Sequence, residues 1–366
     1  LSKPIVFFAH HQGRGHANRI MAILDHLPET RPVTILTAAP QQFDERSREA
    51  DLVQLPNMIG APSRSGALHD QPTPELLHCV PLGVEEMRRH MGIIAETLRD
   101  ADPALFVVDV SAEIALLSRI MSVPAVTIRM HGDRGDLAHL AGYEACVAML
   151  APFDEAIEQD SYPDSLRART FYTGGLCTTN APLLEKAEAR ERLGLSQDRP
   201  ITLTIAGGGG SGTPYAPLTV AARAEPDTLW LVAGPVHREG HETDFGNLTE
   251  LGWTDKLTEY LCAADRVIAS AGDNTVHEIA RAGKPFLCIP EWRYFDEQQA
   301  KARELARVGA AVYRETWPAS IPEWQRALAE TDALDTARLA ALHDEDAARK
   351  AAEWLEGLAR DLWAVS

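Results

Sequence analysis

The stretch "SAGDNTVHEIARAGKPFLCIPEWRYFDEQQAKA", residues 270–302, follows directly on the β-branched run "DRVIAS" (265–270). That run ends in the loop "AGDN", and a short helix then places Val276, Ile279 and Ala280 on one face. Gly283 and Pro285 end the helix, as a C-terminal glycine followed by proline should. A second apolar run, "PFLCIP" (285–290), leads into a polar loop and a further helical pattern. Strand, helix, strand, helix in this order predicts a βαβ unit of a parallel sheet.

The same alternation extends outward in both directions. Towards the N-terminus lie "DTLWLVAG" (227–234) and "PITLTIA" (200–206). Before a pause at "FYTGGLCTTNAP" (171–182) come "PIVFFA" (4–9), "PVTILT" (32–37), "ALFVVDV" (104–110) and "PAVTIRM" (124–130). The segment "SAEIALLSRIMS" between the last two has helical spacing at Ile114, Leu117, Ile120 and Met121, which fits a crossover helix. Residues 56–75, rich in Pro, Gly and Ser, read as a mobile surface loop. The tail has an apolar stripe through Ala351, Trp354, Leu358 and Leu362, the mark of a packing helix.

A chain of 366 residues exceeds the length at which single cores stop growing, about 250–300 residues. We therefore expect two α/β domains, residues 1–172 and 173–345, facing each other across a cleft, with helix 346–366 packing back on the first. Acidic residues outnumber basic ones 53 to 35, for a net charge of −18, which disfavours nucleic acid and anionic lipid as partners by charge alone. Cys79, Cys146, Cys177, Cys262 and Cys288 are odd in number, with no C-x-x-C, so neither a disulfide framework nor a zinc ribbon is indicated. No leader pattern or run of about 18 apolar residues occurs, so a cytoplasmic location is expected.

Three constellations carry chemistry. In "HHQGRGHANR" (10–19) a buried strand turns into a helix at Gly13, Arg14 and Gly15, followed by His16 and Arg19. Asn18 stands where a dinucleotide fingerprint needs its third glycine. His16 at a helix start is favoured as the neutral base, because the positive end of the helix dipole opposes protonation. Asp109, at a strand's carboxyl end, and Asp133, in "HGDRGD", are further candidates for that base. In "ITLTIAGGGGSGT" a strand runs into Gly209, Gly210, Ser211, Gly212 and Thr213. Gly207, Gly209 and Gly212 formally satisfy G-x-G-x-x-G, but Asp227 begins its strand rather than ending it, and no Lys–Ser/Thr follows for a P-loop. What fits is a backbone cradle for phosphate. The third constellation is 270–302, where Glu278 sits near a helix start and Asp296, Gln298 and Gln299 open the next helix. Carboxylates and amides in fixed geometry read sugar hydroxyls well. No metal ligand set is visible, since "HREGH" (237–241) is not H-E-x-x-H.

With these residues the chain resembles GT-B glycosyltransferases, and family 28 in particular, the family of the peptidoglycan N-acetylglucosaminyltransferase. "SAGDNTVHEIARAGKPFLCIP" followed by "DEQQAKARELARVGAA" is similar to that family's donor signature, "GGGGSG" to its glycine loop, and "GRGH" to its N-terminal loop. The resemblance implies two Rossmann-like domains and a nucleoside-diphosphate sugar donor, with UDP the expected nucleotide. It implies that Glu278 meets the ribose and that Gln298 and Gln299 meet the donor sugar. Gly209 to Thr213, with Gly272, Asn274 and Thr275, would hold the diphosphate, and Gly252 and Trp253 the nucleobase. It further implies inversion by direct displacement, with one general base and no metal or other cofactor. For the acceptor hydroxyl, net acidity favours a soluble molecule over a lipid-linked one. Sugar-nucleotide hydrolases share G-x-G-H-x-x-R, which "GRGHANR" fits. Hydrolysis therefore competes with transfer, as do 2-epimerisation and non-catalytic binding of a nucleotide-sugar.

Overall fold

The structure, a computed structural model, describes residues 2–11, 13–57, 67–68, 70–176, 181–207 and 210–364. The chain divides into two units, residues 1–152, 160–173 and 345–366 in the first, and 153–159 and 174–344 in the second. Residues 153–159, expected with the first domain, cluster with the second because they pack on its helices: the Arg307 guanidinium donates to the carbonyl of Ala156 at 2.8 Å.

The first unit contains β1 (Ile5–Ala9), α1 (Arg14–Leu24), β2 (Val33–Thr37), β3 (Asp51–Gln54), α2 (Glu85–Ala101), β4 (Leu105–Val108), α3 (Ala112–Ile120), β5 (Ala125–Ile128), α4 (Leu137–Ala145), β6 (Ala148–Ala151), α5 (Asp164–Arg167) and β7 (Thr170–Tyr172). Its strands form one parallel sheet in the order β3-β2-β1-β4-β5-β6-β7. Every residue of β1, β4, β5 and β6 is buried, as expected of strands covered by helices on both faces. One core cluster joins Val6, Phe8, Leu36, Phe106 and Val108 to Ile94 and Leu98 of α2 and Ile114 of α3. Ser111 caps α3 and Asp136 caps α4, each accepting a backbone N–H of the first turn.

The second unit contains α6 (Lys186–Arg192), β8 (Ile201–Ile205), β9 (Thr213–Pro214), α7 (Tyr215–Ala224), β10 (Leu229–Ala233), β11 (Val236–His237), β12 (Leu248–Gly252), α8 (Leu257–Ala263), β13 (Arg266–Ala269), α9 (Asp273–Ala282), β14 (Phe286–Cys288), α10 (Glu297–Arg307), β15 (Val312–Tyr313), α11 (Ile321–Asp332) and α12 (Thr336–Ala340). Its parallel sheet runs β12-β10-β8-β13-β14-β15, and β9 and β11 form a separate short parallel pair. Trp230 of β10 and Trp324 of α11 meet edge to face at 5.7 Å in its core.

The last helix, α13 (Ala347–Leu362), belongs to the first unit. Trp354 stacks on Phe171 at 4.9 Å, Glu356 accepts from Arg31 Nε at 2.8 Å, and the Trp363 indole just beyond donates to the carbonyl of Ala104 at 2.9 Å.

Candidate functional site

Open parallel sheets bind ligands beyond the carboxyl ends of their strands, where strand order reverses. In the first sheet the reversal lies between β1 and β4. β1 runs out into His10, β4 runs out into Asp109, and Gly13 (φ 81°) caps α1, which carries His16 in its first turn. His16 Nδ1 donates to Asp109 Oδ2 at 2.6 Å, and Arg19, one turn further along α1, donates to Asp109 Oδ1 at 2.9 Å. Asp109 is 1% exposed and Arg19 is buried, whereas the His16 side chain keeps 19% of its surface. Burial alone would raise the Asp109 carboxyl, but the His16 and Arg19 charges outweigh it and take the group down to about 2. His10 lies 5.4 Å from His16, ring to ring, and burial first, then the neighbouring histidines, push it down to about 4.

Backbone strain marks the same place. Val110, immediately after Asp109, has φ 53°, in the left-handed region that a β-branched residue rarely adopts. Such a conformation costs of order 1–3 kcal/mol and persists where its surroundings over-determine it. Here the contacts of Asp109 with His16 and Arg19 fix one side and the Ser111 cap fixes the other.

In the second sheet the reversal lies between β8 and β13. β8 leads into the glycine loop, of which Gly208 and Gly209 lie outside the described residues. A Cβ on Gly210 would fall within 2.5 Å of both Glu291 carboxylate oxygens, and one on Gly212 (φ 91°) would meet the Pro235 carbonyl at 2.7 Å. Gly212 therefore excludes a side chain, whereas at Gly210 a side chain would have to displace the Glu291 carboxylate. Thr213 does not offer its N–H to a ligand, because β9 spends it on the Pro235 carbonyl at 2.9 Å. Ser211 is exposed. β13 leads to Gly272, the cap of α9, whose first turn holds half-buried Asn274 and Thr275. Asp273, in that turn, is ion-paired with buried Lys301 of α10, which cancels a negative charge at the helix start.

Glu278 lies one turn further along α9 and has no hydrogen-bond partner among the described residues. Burial, only weakly opposed by the Arg281 charge, pushes its carboxyl up to about 7. Gln298 is buried, with its amide oxygen accepting the Glu291 N–H at 2.8 Å and its amide nitrogen near Gly272. Gln299 accepts the Tyr313 hydroxyl at 2.7 Å. Asp296 is exposed at φ 52° and caps α10. Gly252 ends β12, accepts the Gly234 N–H at 2.8 Å and is followed by Trp253, 71% exposed.

The sequence-level candidates thus separate into groups. His16, Arg19 and Asp109 come together in the first unit, and Gly272, Gln298 and the Gly210 turn are linked through Glu291 and Gln298 in the second. Arg14 turns outward to Glu45 at 3.2 Å, and Gly15 faces open space. Asp133 is exposed after β5, and no hydrogen bond or ion pair among the described residues joins it to His16. Sequence reasoning misses the roles of Glu291, Lys301 and Asp273. Ion pairs between a helix start and a later helix have no local spacing by which to find them.

A family model described as the glycosyltransferase family 28 C-terminal domain matches residues 222–353. Three UDP-N-acetylglucosamine–N-acetylmuramyl-(pentapeptide) pyrophosphoryl-undecaprenol N-acetylglucosamine transferases are similar in sequence. Those of Halorhodospira halophila and Cutibacterium acnes are 30% and 31% identical over 41% and 44% of this chain. In both cases the chain spans less than half of the relative's length, 44% and 42%. That of Paenarthrobacter aurescens is 26% identical over 89% of this chain and 87% of its own. Among solved structures, the glycotransferase of kitacinnamycin matches at TM-score 0.66 and 15% identity, over 98% of this chain and 100% of that one. The MurG of Acinetobacter baumannii matches at TM-score 0.66 and 16% identity, over 97% and 99%. The chain is family 28-like and has the GT-B fold. Its two parallel-sheet units are the two Rossmann-like domains of that fold. No described helix is long and apolar enough to cross a membrane.

Proposed function

We propose that this protein transfers a sugar from a nucleoside-diphosphate donor to an acceptor hydroxyl, with inversion at the anomeric carbon. The observation that carries the reading is the His16–Asp109 pair at 2.6 Å, placed where the strand order of the first sheet reverses. Asp109 is an ionised acceptor, so it accepts a hydrogen bond from Nδ1–H and leaves the Nε2 lone pair of His16 as the base. Asp109 itself, a candidate base by its place at a strand end, is too acidic at about 2 and too buried to serve. His16 Nε2 removes the proton of the attacking hydroxyl as its oxygen bonds to the anomeric carbon, and the bond to the donor diphosphate breaks. The imidazolium so formed is held by the Asp109 charge.

Negative charge grows on the leaving diphosphate, and donors aimed at that charge do the stabilising. The backbone of the Gly210–Gly212 turn and the start of α9 suit this task, and with Asp273 neutralised by Lys301 the helix start does not repel an anion. A metal has no necessary part in this chemistry. Glu278 would receive ribose hydroxyls. Uridine is the expected nucleoside, in keeping with the names of the curated relatives. Those names also specify an undecaprenol-linked acceptor, which weighs against the soluble acceptor favoured by net charge.

Incubating the protein with radiolabelled UDP- and dTDP-sugars, with undecaprenol-diphosphate and soluble hydroxyl acceptors in parallel, tests the reading. Acceptor-dependent transfer with inverted configuration by NMR is the expected outcome. Free sugar without acceptor would show a hydrolase, and an altered donor an epimerase. Thermal stabilisation by NAD but by no nucleoside diphosphate would overturn the assignment altogether.

A further inference from the structure

Among the described residues, His78, Asp136 and His139 each place one ligand-type atom within 4.8 Å of the others. We propose that this trio binds a divalent transition-metal ion of the zinc class. Asp136 caps α4, and His139 lies three residues on, on the same helix face. One Asp136 oxygen accepts the His139 Nδ1–H at 2.5 Å, and the other accepts the His78 Nε2–H at 2.9 Å. The two imidazoles, from segments 58 or more residues apart, therefore bracket one carboxylate. Metal–ligand bonds of about 2.0–2.2 Å set tetrahedral ligands about 3.3 Å apart, so the two His–Asp136 contacts need only open slightly to admit an ion.

Two imidazoles and one carboxylate suit zinc, cobalt or nickel rather than calcium or magnesium, which prefer oxygen. The carboxylate that would give a metal-bound His78 its outer support stands nearby, beyond hydrogen-bond distance. The His78 Nδ1 lies 4.0 Å from Glu113 Oε1, and Glu113 is itself held by the backbone N–H groups of His78 and Cys79. The side chains of His78 and Asp136 are 24% and 40% exposed, which leaves an entry path and room for water as a fourth ligand. Arg134 opposes binding, since its guanidinium donates to His139 Nε2 at 2.9 Å. When the metal takes the Nδ1 lone pair, the ring proton moves to Nε2, and Arg134 has to leave. Arg134 is thus an antagonist of the site, a role that a purely structural hydrogen-bond network would not give it.

The test uses the full chain, stripped with a chelator and titrated with Co²⁺, followed by its visible absorption, and with Zn²⁺ by calorimetry. One equivalent is expected to bind. His139→Ala and His78→Ala should each weaken it about 100-fold or more, since loss of an outer-shell partner alone costs about 10–100-fold, with circular dichroism unchanged. Arg134→Ala should tighten it about tenfold, and Cys79→Ser should leave it as it was. The proposal is overturned if the stripped chain binds no stoichiometric metal, if binding survives both histidine variants, if it follows Cys79 alone, or if Arg134→Ala weakens it.

Discussion

The two sheets reverse their strand order in equivalent ways and fill the reversal with opposite materials. In the first, three side chains are locked to one another, His16 and Arg19 on the two oxygens of a buried carboxylate. In the second, the ends of β8 and β13 offer glycine backbone and a helix start, with one carboxyl pushed towards neutrality at Glu278 and another cancelled by Lys301. A fixed charge network suits the movement of a proton, because it stabilises one protonation state over another. A cradle whose carboxylates are paired with cations or pushed towards neutrality suits the arrival of an anion.

The comparison breaks most sharply at His16. His16→Ala should lower kcat by about 10²–10⁴-fold while leaving the donor Kd, read by calorimetry, unchanged. If the donor Kd rises as kcat falls, the division of labour between the sheets is wrong.

Asp109→Asn should cost nearly as much activity, and it also leaves buried Arg19 without its ionised partner. Removing one member of a buried pair destabilises by about 3–5 kcal/mol, which urea unfolding would read. The same carboxylate makes stability depend on pH. Its folded value is depressed from 3.8 to about 2, so its contribution, of order 2 kcal/mol, is present above pH 4 and lost as pH falls towards 2. The Asn variant should lose that acid dependence.

In the second sheet smaller effects are expected, and on binding rather than turnover. Gly212→Ala meets both φ 91° and the Pro235 carbonyl, and should weaken donor binding about tenfold with little change in kcat at saturation.

The smallest effect concerns protons. The Glu278 carboxyl titrates near 7 in the free protein, and ribose hydroxyls donating to it favour the ionised form. Donor affinity should therefore rise with pH through neutrality, and binding at pH 7 should release a fraction of a proton. Calorimetry in two buffers of different ionisation enthalpy measures this, and Glu278→Gln should abolish it.

The βαβ order and the strands 5–9, 33–37, 105–108, 201–205 and 266–269 are legible because buried parallel strands are short, continuous apolar runs. β3, β6 and β7 are not. β3 is an edge strand with charged and amide ends, "AMLA" of β6 has helix-forming letters, and the "TFY" of β7 sits in what reads as a pause. At the candidate site, His16 is visible from its helix start, whereas its tie to Asp109 spans 93 residues and is set only by β1 pairing with β4. The His78 cluster is invisible in the sequence for the same reason.

The order of segments in the first unit bears on how the protein is made. Its sheet is complete only when β7 emerges, and α13 follows the whole of the second unit. On the ribosome, residues 174–344 are therefore synthesised while the Phe171 ring and the Arg31 guanidinium still await Trp354 and Glu356. The second unit is one nearly continuous segment, but the one bearing His16 is closed by the last helix described. Of the two units, the one that begins first is finished last.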